Sequence, residues 1–85
     1  MKEKIKDILR SFFVIELGLE LKDDDTDIMG AGADSLDMVE SVMEVENKLH
    51  VTVNDDNDDF SYTGSINQLA EKVFNNIERP DPDNT

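Results

Sequence analysis

The sequence predicts an all-α fold: a small bundle of three main helices and one short helix, with a long first loop. The chain has 85 residues, which suffices for one domain and leaves no room for a second core. Three segments carry apolar residues every three or four positions, which is the spacing of one face of a helix. The one alternating, strand-like segment is short and has no second strand to pair with. We therefore expect a single domain over residues 1–79 and a disordered tail over residues 80–85, which contain no apolar residue.

The first helix is predicted over residues 3–17. Its apolar stripe follows helical spacing and contains Ile5, Ile8, Leu9, Phe12 and Phe13. Gly18 comes next, and glycine readily adopts the left-handed conformation that ends many helices. Residues 18–34 form the predicted loop, and loops longer than about 12–15 residues tend to be functional or disordered. The apolar residues that could pin this loop to the core are Leu19, Leu21, Ile28 and Met29.

The second helix is predicted from Ser35 to about Leu49. Asp34 or Ser35 would be its N-cap, and Asp37 places a carboxylate in its first turn. Its predicted apolar stripe contains Leu36, Val39, Val42, Met43 and Leu49, widened by Met38 and Val45. Asp37, Glu40 and Glu44 lie at positions i, i+3 and i+7, and they form a separate acidic stripe.

The last third of the chain is predicted to hold one clear helix. Val51 and Val53 alternate with Thr52, and we interpret this segment as an extended link because no partner strand is visible. A short helical turn is expected around residues 56–60. The last helix follows a cap at Thr63 or Ser65, and its apolar residues are Ile66, Leu69, Ala70, Val73, Phe74 and Ile77.

Charge is the dominant feature of the composition, with 8 basic against 21 acidic residues and a net charge of −13. Residues 16–59 contain 15 of the acids against Lys22 and Lys48, so this stretch alone accounts for −13. Nucleic acid would be repelled by such a surface, whereas proteins with basic patches would be attracted. There is no cysteine, and neither a signal peptide nor a membrane span is apparent. We expect a monomeric, cytoplasmic protein with basic protein partners.

Ser35 lies between two aspartates in the sequence GADSLD, and its plain structural role would be that of an N-cap. A nucleophilic serine needs a general base within hydrogen-bond reach. The only histidine, His50, is about 22 Å away along a continuous helix. Carboxylates are weak bases at neutral pH, and GADSLD lacks the G-x-S-x-G pattern of hydrolases. We therefore expect no catalytic triad at Ser35.

Phosphate binding at this helix start would have to be covalent. A helix N-terminus attracts phosphate through its free N–H groups and its dipole. However, Asp34 and Asp37 would each repel a loosely bound phosphate by roughly 1 kcal/mol in water at about 4 Å. Cations that offset this repulsion would therefore come from a partner.

A calcium loop is the competing hypothesis. Asp23, Asp25 and Asp27 occupy positions 1, 3 and 5 of an EF-hand-like loop. Ile28 stands where the turn glycine belongs, and Asp34 replaces the bidentate glutamate at position 12. We expect no specific metal site, but an acidic calcium-binding protein or an unmodified interaction module stays an alternative.

The stretch GADSLDMVESVMEVENKL, residues 32–49, resembles the recognition region of acyl carrier proteins. The resemblance implies a carrier and not an enzyme, with a small acidic four-helix bundle in which the serine of D-S-L opens the second helix. It further implies that a transferase attaches 4′-phosphopantetheine to Ser35, and that the arm carries acyl groups as thioesters in fatty acid, lipid or polyketide synthesis. Peptidyl carriers favour a pair of glycines before D-S-L or H-S-L, so GADSL is closer to the acyl carriers.

The resemblance also assigns roles to the residues around Ser35. Asp34 would be recognised by the phosphopantetheinyl transferase. Acyl-processing enzymes with basic patches would dock on the second helix, at Leu36, Asp37, Glu40, Met43 and Glu44.

Overall fold

The computed structural model of the chain describes residues 2–54 and 64–78. Within them, three helical regions pack around one core, which confirms the predicted all-α fold class. The elements in chain order are α1 (Lys2–Arg10), a π-helical continuation (Ser11–Glu16, the π segment), a 3₁₀ turn (Met29–Ala31), α2 (Ser35–Leu49), strand β1 (Thr52–Val53), α3 (Ile66–Asn75) and strand β2 (Ile77–Glu78). The predicted short helix at residues 56–60, the cap at Thr63 and the tail over residues 80–85 lie outside the described residues.

The first helical region covers Lys2–Arg10 and Ser11–Glu16, close to the predicted 3–17, but its second half is π-helical. The amide of Leu17 donates to the carbonyl of Phe12 at 3.0 Å, an i→i−5 bond. This winding puts more residues in each turn. Phe12 and Phe13 are both buried in the core, as the predicted stripe requires, and their rings meet edge to face. Gly18 ends the region with a φ of 74°, as the sequence predicts.

The first loop is fastened to two helices. Arg10 of α1 binds Asp24 through two guanidinium nitrogens, at 3.0 and 2.6 Å. These hydrogen bonds hold the pKa of Asp24 below its usual value. The amide of Asn67, in the first turn of α3, donates to the carbonyl of Asp24 at 3.0 Å, and that of Ile28 donates to the carbonyl of Gly64 at 3.0 Å.

Three of the four predicted anchors of this loop do contact the core. Ile28 is fully buried, while Leu19 and Leu21 are half-buried against the core. Met29 was predicted to be the fourth anchor, and this was wrong, because its side chain is 38% exposed. Ile28 already fills the core position beside it.

Helix α2 forms over the predicted residues, but its buried face differs from the predicted one. Its fully or almost fully buried residues are Met38, Ser41, Val42 and Val45. Leu36, Val39 and Met43 were predicted to be on the core stripe and are 63%, 38% and 53% exposed. Two stripes of apolar residues at helical spacing overlap in this helix. The stripe that packs against the core is the one that includes a serine, Ser41. The Ser41 hydroxyl is satisfied there by donating to the carbonyl of Met38 at 2.6 Å.

The extended link does have a partner strand, which corrects the prediction. Val53 pairs with Ile77 and Thr52 with Glu78, in antiparallel register. The amide of Asn54 donates to the carbonyl of Asn76 at 2.7 Å, which continues the pairing. Helix α3 therefore ends at Asn75, and Ile77, predicted to be helical, belongs to β2.

Helix α3 begins behind Ser65, the second of the two predicted caps. Ser65 and Gln68 form a capping box, with each side chain bonded to the other residue's amide. The buried residues Ile66, Leu69, Ala70 and Val73 confirm most of the predicted stripe, whereas Phe74 is 40% exposed. Lys2 of α1 lies over the Phe74 ring, 5.3 Å from its centroid, and pairs with Glu71 at 3.0 Å. No helix among residues 2–54 and 64–78 is long and apolar enough to cross a membrane.

Candidate functional site

Ser35 is the first residue of α2, and a reciprocal cap surrounds it. Asp34 is the N-cap, with extended backbone angles, and its Oδ1 accepts from the amide of Asp37 at 2.9 Å. In return, the Oδ2 of Asp37 accepts from the amide of Asp34 at 3.1 Å. Of the two N-caps that the sequence allows, the structure therefore selects Asp34. Ser35 is not needed to cap the helix.

The Ser35 side chain is exposed, and within the described part of the chain its hydroxyl makes no hydrogen bond. The amides of Ser35 and Leu36 belong to the first turn, where no intrahelical acceptor exists for them. The Ser35 hydroxyl can therefore be modified without breaking a hydrogen bond within the described residues. A phosphate joined to it would lie at the positive end of the helix dipole.

The chain is led to this position by a tight turn at Gly32. Gly32 ends the 3₁₀ turn with a φ of 123°, a conformation that side chains rarely allow. Its amide donates to the carbonyl of Met29 at 3.1 Å. Ile28 and Ala33, on either side of the turn, are buried. The residues just before Asp34 are thus fixed to the core, while Asp34 and Ser35 stay exposed.

The five predicted docking residues fall into two groups. Leu36, Glu40 and Met43 are exposed, and Glu40 makes no ion pair or hydrogen bond among the described residues. Asp37 and Glu44 are half-buried. The carboxylate of Asp37 accepts a hydrogen bond from the amide of the N-cap residue Asp34. The carboxylate of Glu44 lies 3.9 Å from the ammonium group of Lys48.

Val39 belongs on this surface and was missed by the sequence analysis. It is exposed beside Glu40, and with Leu36 and Met43 it completes an i, i+3, i+7 stripe. The helical spacing in the sequence already indicates this, because these three residues share a face of α2 that does not include Met38 and Val45. We call Leu36, Val39, Glu40 and Met43 the exposed face of α2.

The acidic loop does not gather its carboxylates around one point. Asp23 Oδ1 accepts from the amide of Asp25 at 2.9 Å, and Asp25 Oδ1 accepts from the side chain of Asn67 at 2.7 Å. Asp27 Oδ2 accepts from the amide of Gly30 at 2.8 Å. Among residues 2–54 and 64–78, no cluster of three or more acidic or histidine side chains could hold a metal ion. The calcium hypothesis therefore gains no support from the described loop.

Ser35 and the only histidine lie at opposite ends of α2. His50 is the C-cap of this 15-residue helix, in a left-handed conformation. At 1.5 Å per residue the two ends are about 22 Å apart. His50 cannot serve as a general base for Ser35.

A protein-family model described as a phosphopantetheine attachment site matches residues 4–73, which is most of the chain and includes all of α2. No curated protein and no solved structure matches.

Proposed function

The chain belongs to the phosphopantetheine attachment-site family, and we propose that Ser35 is its attachment residue and that its cargo is an acyl group. Proteins of this family are carriers and not enzymes. They hold 4′-phosphopantetheine covalently, receive it from a phosphopantetheinyl transferase and present it to client enzymes. When bound, the group supplies a terminal thiol on which cargo is held as a thioester.

The Ser35 hydroxyl gives the main support for this assignment. It is exposed, it has no hydrogen-bond partner in the described residues, and Asp34 does the capping in its place. A phosphodiester on this oxygen fits the position, because the unpaired first-turn amides and the helix dipole favour negative charge. Asp34, next to the serine and exposed, is proposed as a recognition residue for the transferase.

The proposed docking surface is the exposed face of α2, with Asp37 and Glu44 at its margins. Its apolar side chains alternate with carboxylates, and a partner with a basic rim around an apolar groove would complement both. Such charge complementarity mainly raises the association rate and selects the partner. We also propose that the carrier acts as a monomer, since copies with a net charge of −13 repel one another.

The proposed cargo is an acyl chain of fatty acid, lipid or polyketide synthesis. The support is the GADSL sequence, which lacks the paired glycines of peptidyl carriers. A modified protein should accept a malonyl or fatty acyl group as a thioester that hydroxylamine releases. Loading by amino-acid-activating enzymes alone would contradict the proposed cargo and leave the carrier function intact.

Intact mass spectrometry tests the attachment residue. Incubation with coenzyme A and a broad-specificity transferase should add one phosphopantetheine to the wild type and none to Ser35→Ala. Ser11→Ala is the matched control, because it removes a serine of the π segment and should leave the modification unchanged. A wild type that stays unmodified while a reference carrier is modified in parallel would favour the alternative, an unmodified interaction module.

A further inference from the structure

We propose that Asp37 is a positioning residue for the modification of Ser35, acting through the backbone of Asp34 and not as a free charge on the docking surface. The inference rests on the proposed function, because it assumes that Ser35 is the residue modified. It replaces the docking role that the family resemblance implies for Asp37, so that the proposed docking surface becomes the exposed face of α2 with Glu44 alone at its margin.

The geometry around Ser35 supports this role. The Asp37 carboxylate accepts from the amide of Asp34 at 3.1 Å, while the Asp37 amide donates to the Asp34 carboxylate at 2.9 Å. These two bonds form a ring between Asp34 and Asp37, and Ser35 is the residue that directly follows Asp34 in the backbone between them. Asp37 is half-buried as a residue, and its Oδ2 already accepts from the amide of Asp34.

Loss of the bonds between Asp34 and Asp37 would affect the transfer reaction, because these bonds lie next to Ser35. Side-chain acceptors for the free amides of the first turn stabilise that end of a helix. With the Asp37 carboxylate removed, the Asp34 amide loses its acceptor and the start of α2 can open next to the reacting oxygen. A small misplacement of a reacting group is costly for a transfer step. We therefore expect the turnover of the transferase to fall more than its affinity for the carrier.

Glu40 provides the contrast that separates positioning from docking. It lies one turn further along α2, is exposed, and makes no bond among the described residues. Loss of its charge should weaken the encounter with a basic partner and leave the start of the helix unchanged.

The test compares Asp37→Asn, Asp37→Ala and Glu40→Gln in the full chain. Asn keeps an acceptor oxygen and loses the charge, whereas Ala loses both. For each variant we would measure kcat and KM of the transferase with coenzyme A, the salt dependence of kcat/KM, and amide hydrogen exchange at Asp34 by NMR.

We expect Asp37→Ala to lower kcat about fivefold, the factor expected for one intramolecular hydrogen bond, and to speed exchange at the Asp34 amide by a similar factor. In Asp37→Asn, by contrast, both kcat and the exchange rate of the Asp34 amide should stay near the wild-type values. Glu40→Gln should raise KM and flatten the salt dependence, with exchange at Asp34 unchanged.

Equal losses in Asp37→Asn and Asp37→Ala, seen in KM and in the salt dependence, would overturn the inference and make Asp37 a docking charge. Unchanged exchange at Asp34 in Asp37→Ala would also overturn it. A wild type that accepts no phosphopantetheine is a different failure, because it removes the proposed function itself.

Discussion

At the scale of single residues, the carboxylate of Asp34 stabilises the helix that begins with Ser35. Replacing it by alanine leaves the Asp37 amide without its acceptor at 2.9 Å. Loss of an N-cap typically costs about 1 kcal/mol of the free energy of unfolding. We expect this loss in Asp34→Ala, measured by urea denaturation with an unchanged m-value.

Asp34→Asn is the control for this prediction. Asparagine caps helices about as well as aspartate, so the variant should stay close to the wild type in stability. If asparagine lost as much as alanine, the charge of Asp34 and not its acceptor oxygen would be what matters.

At the scale of elements, the first loop depends on the pair between Arg10 and Asp24. Arg10 lowers the pKa of Asp24 in the folded state, whereas the unfolded chain has the ordinary aspartate value of about 3.9. The pair therefore stabilises the fold above that value and loses its contribution as the pH falls through the lower, folded value. We expect the stability difference between the wild type and Asp24→Asn to be constant near neutral pH and to shrink below about pH 4.

Urea denaturation from pH 7 to pH 3 would measure that difference. Glu20→Gln is the matched control, since it removes an exposed charge from the same loop. A wild-type advantage over Asp24→Asn that survives at low pH would show that the ion pair does not hold the loop.

Partner binding also belongs to the element scale, because one helix carries the exposed face of α2. Glu40 is exposed and unpaired within the described residues, while Glu44 is half-buried beside Lys48. We therefore expect Glu40→Lys to weaken association with a basic partner roughly tenfold at low salt, and Glu44→Lys to have the smaller effect. Binding isotherms at several salt concentrations would show this, with circular dichroism as the check on folding. Equal effects of the two substitutions would mean that the Lys48 contact does not shield Glu44.

The sequence predicts the helices of this fold better than the faces they present. Local spacing is enough to locate α2, because Ser35–Leu49 carries a cap and a sustained period. It cannot choose between two overlapping stripes, so Val39 was wrongly assigned to the core and the buried Ser41 was overlooked.

Long-range pairing is the other part that local spacing cannot supply. The partner of Val53 is Ile77, and helical spacing alone continues α3 through that residue. At the candidate site, the motif is enough to propose Ser35 as the attachment residue and Asp34 as a recognition residue. Only the geometry shows that the carboxylate of Asp37 accepts a hydrogen bond from the amide of the N-cap residue Asp34.

At the scale of the whole molecule, the net charge of −13 makes the fold sensitive to cations. The screening length at 0.1 M salt is about 10 Å, which leaves much of the repulsion in place across so small a domain. We expect cations to raise the melting temperature, with magnesium and calcium acting alike and high sodium chloride reproducing most of the effect. A melting series in the three salts would measure this. Saturable stabilisation by micromolar calcium alone would instead indicate a specific loop, since magnesium demands near-ideal octahedral geometry.

The pairing of β1 with β2 has a practical consequence for experiments on this carrier. Glu78 lies opposite Thr52, three residues beyond the last residue of α2. Helix α2 is about 20 Å long, and β1 lies beside its C-terminal part, where the amide of Val53 donates to Glu46 Oε2 at 2.8 Å, whereas Ser35 is at its first turn. A dye or a biosensor surface coupled at position 52, where Thr52 is exposed on β1, would therefore lie at the end of the molecule remote from the serine. Tethering through that end leaves the serine open to a transferase in solution, whereas coupling through the first loop would crowd it.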